Sequence, residues 1–140
     1  MPGFTLIELL LVIALIFVLG VFLFPAGVVL VSGQTLSETT SDIASTLRRA
    51  QSEAVLGKHA NSFGVKIIAP NYVLFEGDSY AARIQSEDEE FTFSSRILTE
   101  GLDEVVFEKR TGEANATGSI SLSLDGEQKE IFVYEKGTVE

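Results

Sequence analysis

The run LLLVIALIFVLGVFLFPAGVVLV occupies residues 9–31, 23 residues without a charge. As a helix it would rise about 35 Å, against about 30 Å of bilayer hydrocarbon. It is apolar on every side, which suits lipid or a packed interior. The rest of the chain is too small and too polar to enclose it. The run therefore reads as a transmembrane helix. A secretory signal peptide is the competing reading. Such peptides have a basic start, roughly 7–15 apolar residues and a small-residue cleavage site. Val31-Ser32-Gly33 offers small residues, but the run is too long and no Lys or Arg precedes it.

Beyond this run the chain reads as one ordinary domain. It has 140 residues, 46% hydrophobic and 21% charged, and the apolar residues crowd into the N-terminal fifth. Ten Lys+Arg against twenty Asp+Glu leave a net charge of -10. That balance argues against nucleic acid as a partner, because such binding neutralises phosphates with Lys and Arg. The basic residues are scattered, with Arg48-Arg49 and Lys109-Arg110 the only doublets. Cysteine is absent, which excludes disulfides, thiol catalysis and thiolate metal sites. A single histidine, His59, excludes a multi-histidine zinc site.

Glu8 stands at the entrance of the apolar run. A charge at the centre of a membrane helix costs roughly 2.5–3.5 kcal/mol, and less toward the interface. Either the carboxylate sits at headgroup level, or it has a cationic partner in an assembled state. Electrostatics alone leaves both open.

The segment Gly3-Phe4-Thr5-Leu6-Ile7-Glu8-Leu9-Leu10-Leu11-Val12-Ile13-Ala14 resembles, nearly letter for letter, the cleavage and methylation segment of type IV pilins and type II secretion pseudopilins. The resemblance implies that a prepilin peptidase cuts after Gly3 and that the new amine, on Phe4, is N-methylated. It implies that Glu8 forms an assembly salt bridge with the terminal amine of a neighbouring subunit. It also implies as partners other pilin or pseudopilin subunits, the peptidase and an inner-membrane assembly platform. The location it implies is the bacterial cytoplasmic membrane, crossed once with the globular part outside the cytoplasm, and then an extracytoplasmic filament. The proposed pairing fits the physics, since an unpaired ion in an apolar bundle is far costlier than a paired one. Two features depart from the family pattern. Met1-Pro2 carries no basic residue before the glycine, and Phe17 stands where many pilins have glycine.

Pro25 also matches a family position, and related helices unwind near it on assembly. Proline inside a helix removes a backbone hydrogen bond and clashes with the preceding turn, so a helix kink is expected there. Past residue 32 the pattern becomes amphipathic. Leu36, Ile43, Leu47, Ala50 and Ala54 recur at the spacing of one helix face, and Gly57 is a stop signal. Any break between the two halves is expected at Ser32-Gly33. The stretch Arg49-Ala50-Gln51-Ser52-Glu53-Ala54-Val55 resembles a motif of general secretion pathway protein H and FimT minor pilins. Read residue by residue, Arg49 and Glu53 form an i,i+4 pair on a polar helix end.

From Ser62 onward the period is two. Strands are expected at 63–68, 72–76, 104–109, 119–124 and 130–134, with weaker ones at 82–85 and 91–94 and a short final one near 136–139. Ala69-Pro70-Asn71 is a turn, and Asp125-Gly126 is a two-residue hairpin signal. The expected fold class is α+β: a long N-terminal helix, transmembrane half plus amphipathic half, packed on an antiparallel β-rich globular domain. The expected organisation is a leader peptide at 1–3, a transmembrane helix at 4–31, an amphipathic extension at 32–57 and the β domain at 58–140.

No residue constellation specifies catalysis. His59 lies in a polar connection and reads as an exposed loop residue, and nothing aligns Ser62 or Ser79 into a triad with it. Residues 112–118 lack the Gly-Lys-Ser/Thr ending of a phosphate loop. Glu87-Asp88-Glu89-Glu90 is a consecutive charge run that reads as a solvated loop rather than a calcium site. Asn115-Ala116-Thr117 fits a glycosylation acceptor, incidental in a bacterial protein. No metal or cofactor is expected. The sequence points to a structural pilin-like subunit, not an enzyme, most similar to an H-type minor pilin. A major pilin and a membrane-anchored binding module for an exported protein or surface ligand are the alternatives.

Overall fold

The computed structural model describes residues 5–140, with the side chains of 21–32 and Lys58 outside the description. One helix, α1, runs from Leu6–Val55 over 50 residues. It is assigned as helix through Pro25 and through Ser32-Gly33, so no interruption marks the expected break. The stripe expected from spacing is the stripe that is buried: Leu36, Ile43, Leu47, Ala50 and Ala54 are all 0% exposed. The helix ends as the sequence requires. The Gly57 amide donates to the Ala54 carbonyl at 3.1 Å, and Gly57 takes φ +65, a left-handed conformation that costs an L side chain energy.

Two antiparallel sheets receive this helix. The strands are β1 (Phe63–Ile68), β2 (Asn71–Glu76), β3 (Glu89–Thr92), β4 (Leu98–Gly101), β5 (Glu104–Phe107), β6 (Gly118–Leu124) and β7 (Glu127–Val133). The first sheet has the order β3-β2-β1-β5 and the second β4-β6-β7. One core joins them. Phe63, Val65, Leu74 and Phe107 of the first sheet meet Ile120, Leu122, Ile131 and Val133 of the second, with the helix stripe closing the core. Strand β6 shows the period-two logic plainly. Ile120, Leu122 and Leu124 are buried while the serines between them face outward. Asp125 and Gly126 both take positive φ, 52 and 89, as the tight hairpin needs. At Gly64 a Cβ would sit 2.5 Å from Phe75 Cζ, so the Phe75 ring can lie across β1 there only because that position carries no side chain.

The outer face of the first sheet has its own small core of Val73, Phe75 and Val106. Tyr80 covers it, its ring edge-on to Phe75 at 5.6 Å. This cover explains why residues 82–85 are not the strand expected. They belong to a strap of two 3-10 turns, Tyr80–Ala82 and Gln85–Glu87, held by side chains rather than by a ladder. Arg83 lies over the Tyr80 ring at 3.8 Å, donates to the Tyr80 carbonyl at 2.7 Å and pairs with Asp88 at 2.7 Å.

Other boundaries shift for similar reasons. The strand expected at 91–94 begins at Glu89, because its acidic residues find partners. Arg49 reaches Glu89, and Asn71 donates to Glu90 at 2.7 Å. The acidic run is therefore not a free solvated loop. Glu87 ends a 3-10 turn, Asp88 pairs with Arg83, and Glu89 and Glu90 open β3. Strand β4 has no counterpart in the expected strands. The strand expected at 104–109 stops at Phe107, and Arg110 beyond it takes φ 71. The C-terminal segment makes a single bridge, Val139 to Val133, rather than a strand.

Lys66 on β1 bonds Asp103 at 2.8 Å and lies 3.4 Å from Glu104. The Asp103 carboxylate holds the Lys66 ammonium above its ordinary pKa, and the ammonium in turn holds Asp103 below its own. The pair's contribution to stability is full between the two ordinary values. It fades as pH falls through the depressed value of Asp103 and as pH rises through the elevated value of Lys66. Exposed pairs of this kind contribute about 0–1 kcal/mol. Lys66→Met is expected to flatten both limbs of a urea-midpoint against pH curve slightly, leaving neutral-pH stability within that range.

Candidate functional site

The N-terminal half of α1 carries the features that set this chain apart. Thr5 is extended, with φ -81 and ψ 148, and caps the helix: its hydroxyl oxygen accepts from the Glu8 amide at 3.4 Å. Thr5-Leu6-Ile7-Glu8 thus has the threonine and glutamate spacing of a capping box. That signal is present in the sequence and marks Thr5 as the cap of the turn that carries Glu8, which the apolar reading of the segment overlooks. Glu8 occupies the first turn, where the helix dipole favours a negative charge. Its carboxylate is exposed, and so is every described residue from Thr5 to Gly20. Leu6, Ile7 and Phe17 leave roughly three quarters of their surface uncovered. An uncovered apolar rod of this kind needs lipid or other rods around it.

Among the described residues no helix is long and apolar enough to cross a membrane. The side chains of 21–32, which complete the apolar run, lie outside the described set. Gly3 and Phe4, the expected cleavage and methylation positions, also lie outside it, as does the side chain of Pro25. Of the expected processing and assembly residues Gly3, Phe4, Glu8 and Pro25, Glu8 alone has a described side-chain environment.

The other end of α1 is fixed to the body by polar side chains. The expected Arg49–Glu53 pair is present at 2.8 Å. Arg49 also grips Glu89 of β3 through both terminal nitrogens, at 2.7 and 2.5 Å. This second grip crosses 40 residues of sequence, which i,i+4 spacing cannot reveal. The carboxylate of Glu89, then that of Glu53, raises the Arg49 guanidinium further above its already high pKa. Arg48 donates to the Val139 carbonyl at 3.2 and 3.1 Å, and Gln51 to the Lys136 carbonyl at 3.3 Å.

His59 has more structure around it than an exposed loop residue. Its backbone takes φ 51, and its Nδ1 lies 2.7 Å from the carboxylate of Glu76, a residue only 2% exposed. Asn61 donates to the other oxygen of that carboxylate at 2.6 Å. The imidazole itself remains half exposed. The Ser62 hydroxyl donates to Asp78 at 2.7 Å, and the Ser79 hydroxyl caps the Tyr80–Ala82 turn. Each serine hydroxyl thus has its own partner, and His59 is directed at Glu76. A cleft of about 300 Å³ beside Ser62 is lined by Asp78, Glu108, Glu113 and Glu135. Among the described residues no group of three or more His, Asp or Glu side chains is placed to hold a metal ion.

No protein-family model matches the chain, and no curated protein matches it. The chain is similar to a solved structure, the minor pseudopilin EpsH from the type 2 secretion system of Vibrio cholerae. The TM-score is 0.59 at 16% identity, over 76% of this chain and 94% of that one. At that identity the likeness is one of fold. The chain therefore shares with a minor pseudopilin the architecture of a helix laid across antiparallel sheets.

Proposed function

We propose that this chain is a pilin-like structural subunit of a type II secretion pseudopilus or type IV pilus, of the H-type minor class. One observation carries the reading: an uncovered apolar helix half with a lone carboxylate in its first turn, joined to a body with the fold of a minor pseudopilin. In this reading residues 4–31 hold the precursor in the inner membrane, crossing it once. Prepilin peptidase removes residues 1–3 and methylates the amine of Phe4. The helices then pass from lipid into a filament core, where Glu8 of one subunit pairs with the amine of its neighbour. Pro25 relaxes the helix so that it fits the bundle. The β body remains outside and sets contacts with other subunits, while an assembly platform supplies the work. A major pilin and a membrane-anchored binding module for an exported protein or surface ligand are the competing readings.

Mass spectrometry of the mature protein from a strain with prepilin peptidase tests the first step. The expected product begins at a methylated Phe4. An intact Met1, or a terminus near Gly33, would overturn the processing scheme.

A further inference from the structure

The two sheets have four outer edges, and they are not treated alike. Beyond β5, Ala114 bridges to Phe107, and Asn115 closes on Val106 through its side chain at 2.8 Å and its backbone at 2.9 Å. Beyond β7, Val139 bridges to Val133, and Glu140 exchanges backbone bonds with Phe132 at 2.8 and 3.0 Å. Strand β3 carries two consecutive charges, Glu89 and Glu90, with Arg49 of the helix seated on the first. Coverage and charge are the usual means of blunting an edge.

Strand β4 has no such cover, and its one charge is Glu100. It pairs with β6 on one side, and among the described residues nothing bonds to its other side. The Leu102 amide donates to Ser119 at 3.0 Å, so alternation along the strand turns the backbone groups of Thr99 and Gly101 away from β6. Leu98 is 65% exposed, an uncommon state for a leucine on an open edge. A groove of about 330 Å³ runs beside the strand, lined by Ala69, Pro70, Ser95, Leu98, Thr99 and Glu100. An unpaired edge, an exposed apolar side chain and a cavity thus coincide at one place.

We propose that β4 is a docking edge at which an extended segment of a partner protein adds a fourth strand to the second sheet. Main-chain bonds to Thr99 and Gly101 give the affinity, and the outward side chains give the selection. Leu98 and Glu100 project from the same face. Across that face the register places Ser121 and Glu130 in line with Glu100. The partner strand therefore carries an apolar residue opposite Leu98 and a Lys or Arg opposite Glu100, two positions apart. A second copy of this chain is a poor occupant. It brings the same net charge of -10, and pairing two β4 strands about Thr99 sets Leu98 against Glu100.

The test uses the full chain in detergent micelles and a labelled, end-blocked peptide, Thr-Lys-Val-Leu-Thr. Saturable binding is expected, with slowed amide exchange at Thr99 and Gly101. Methylating the valine nitrogen, replacing the peptide lysine by glutamate, or Glu100→Lys in the protein should each weaken it about tenfold or more. Thr99→Pro removes an outward donor while sparing the inward ladder, and should do the same. Failure to saturate at millimolar peptide, or equal binding of the N-methylated peptide, overturns the proposal. So does exchange protection confined to other strands, or Thr99-dependent self-association without peptide.

Discussion

With alanine in place of Glu8, the subunit is expected to be made, inserted and cleaved normally, yet to be missing from filaments. The reason lies in its surroundings. Leu6, Ile7, Leu9 and Leu10 adjoin the carboxylate in sequence, and all are exposed to whatever surrounds the helix. If they pack against neighbouring helices, the amine of Phe4 goes with them into an apolar bundle. Removing one member of a buried pair leaves the other charge uncompensated and costs about 3–5 kcal/mol. At each added subunit that is a factor of about a hundred to a few thousand, since every 1.4 kcal/mol is about tenfold. The measurement is the ratio of subunit in sheared filaments to subunit in membranes. Glu8→Asp should recover part of the loss, because it keeps the charge on a shorter arm. Undiminished incorporation of the alanine variant would sink the assembly reading and favour the membrane-anchored binding module.

Phe107→Ala is expected to produce the largest loss of stability in the body. Phe107 is fully buried at the end of β5, paired with Phe63 across β1 and within the core shared by both sheets and the helix. Truncating a buried phenylalanine costs about 3–5 kcal/mol, a transfer term plus a cavity term. That is a large part of the roughly 5–15 kcal/mol by which whole domains are stable. Urea unfolding of the full chain in micelles, followed by circular dichroism of the β signal, should show the midpoint fall steeply. Phe132→Ala is the control. That ring is 43% exposed on the outward face of β7, and its loss should shift the midpoint far less. Equal shifts for the two variants would mean that the core is not where the structure places it.

How legible the fold was depended on the kind of signal each segment carries. The stripe from Leu36 to Ala54 and the hairpin around Asp125-Gly126 were readable because burial and turn chemistry leave a local period or a local dipeptide. The seven strands described are not the same set the sequence suggested. Strand β4 leaves no signal because Leu98-Thr99-Glu100-Gly101 is short, mostly polar and exposed, with its pairing partners, Ile120 to Ser123, far along the chain in β6. The strap at 77–88 was misread as containing a strand. Its order comes from Arg83 acting on Tyr80 and Asp88, which no periodicity records. The same holds for the joint between helix and body. The sequence shows Arg49 and Glu53 four residues apart but cannot show Glu89 arriving from β3. At the candidate site Glu8 and the Thr5–Glu8 spacing are both legible in the sequence, and the backbone adds the hydrogen bond that makes the cap. His59 is exposed in the connection as expected, but its partner cannot be read from the sequence because Glu76 ends a strand that otherwise reads as apolar.

The polar joint has a mechanical meaning. Arg48 holds Val139, Arg49 holds Glu89 and Gln51 holds Lys136, so three contacts within four residues of one helix reach two separate parts of the body, β3 and the C-terminal segment. Tension along the helix axis loads them together, in shear, along with the apolar stripe beneath. None can be peeled away before the next. Whatever tugs on the apolar end moves the whole body as a single handle.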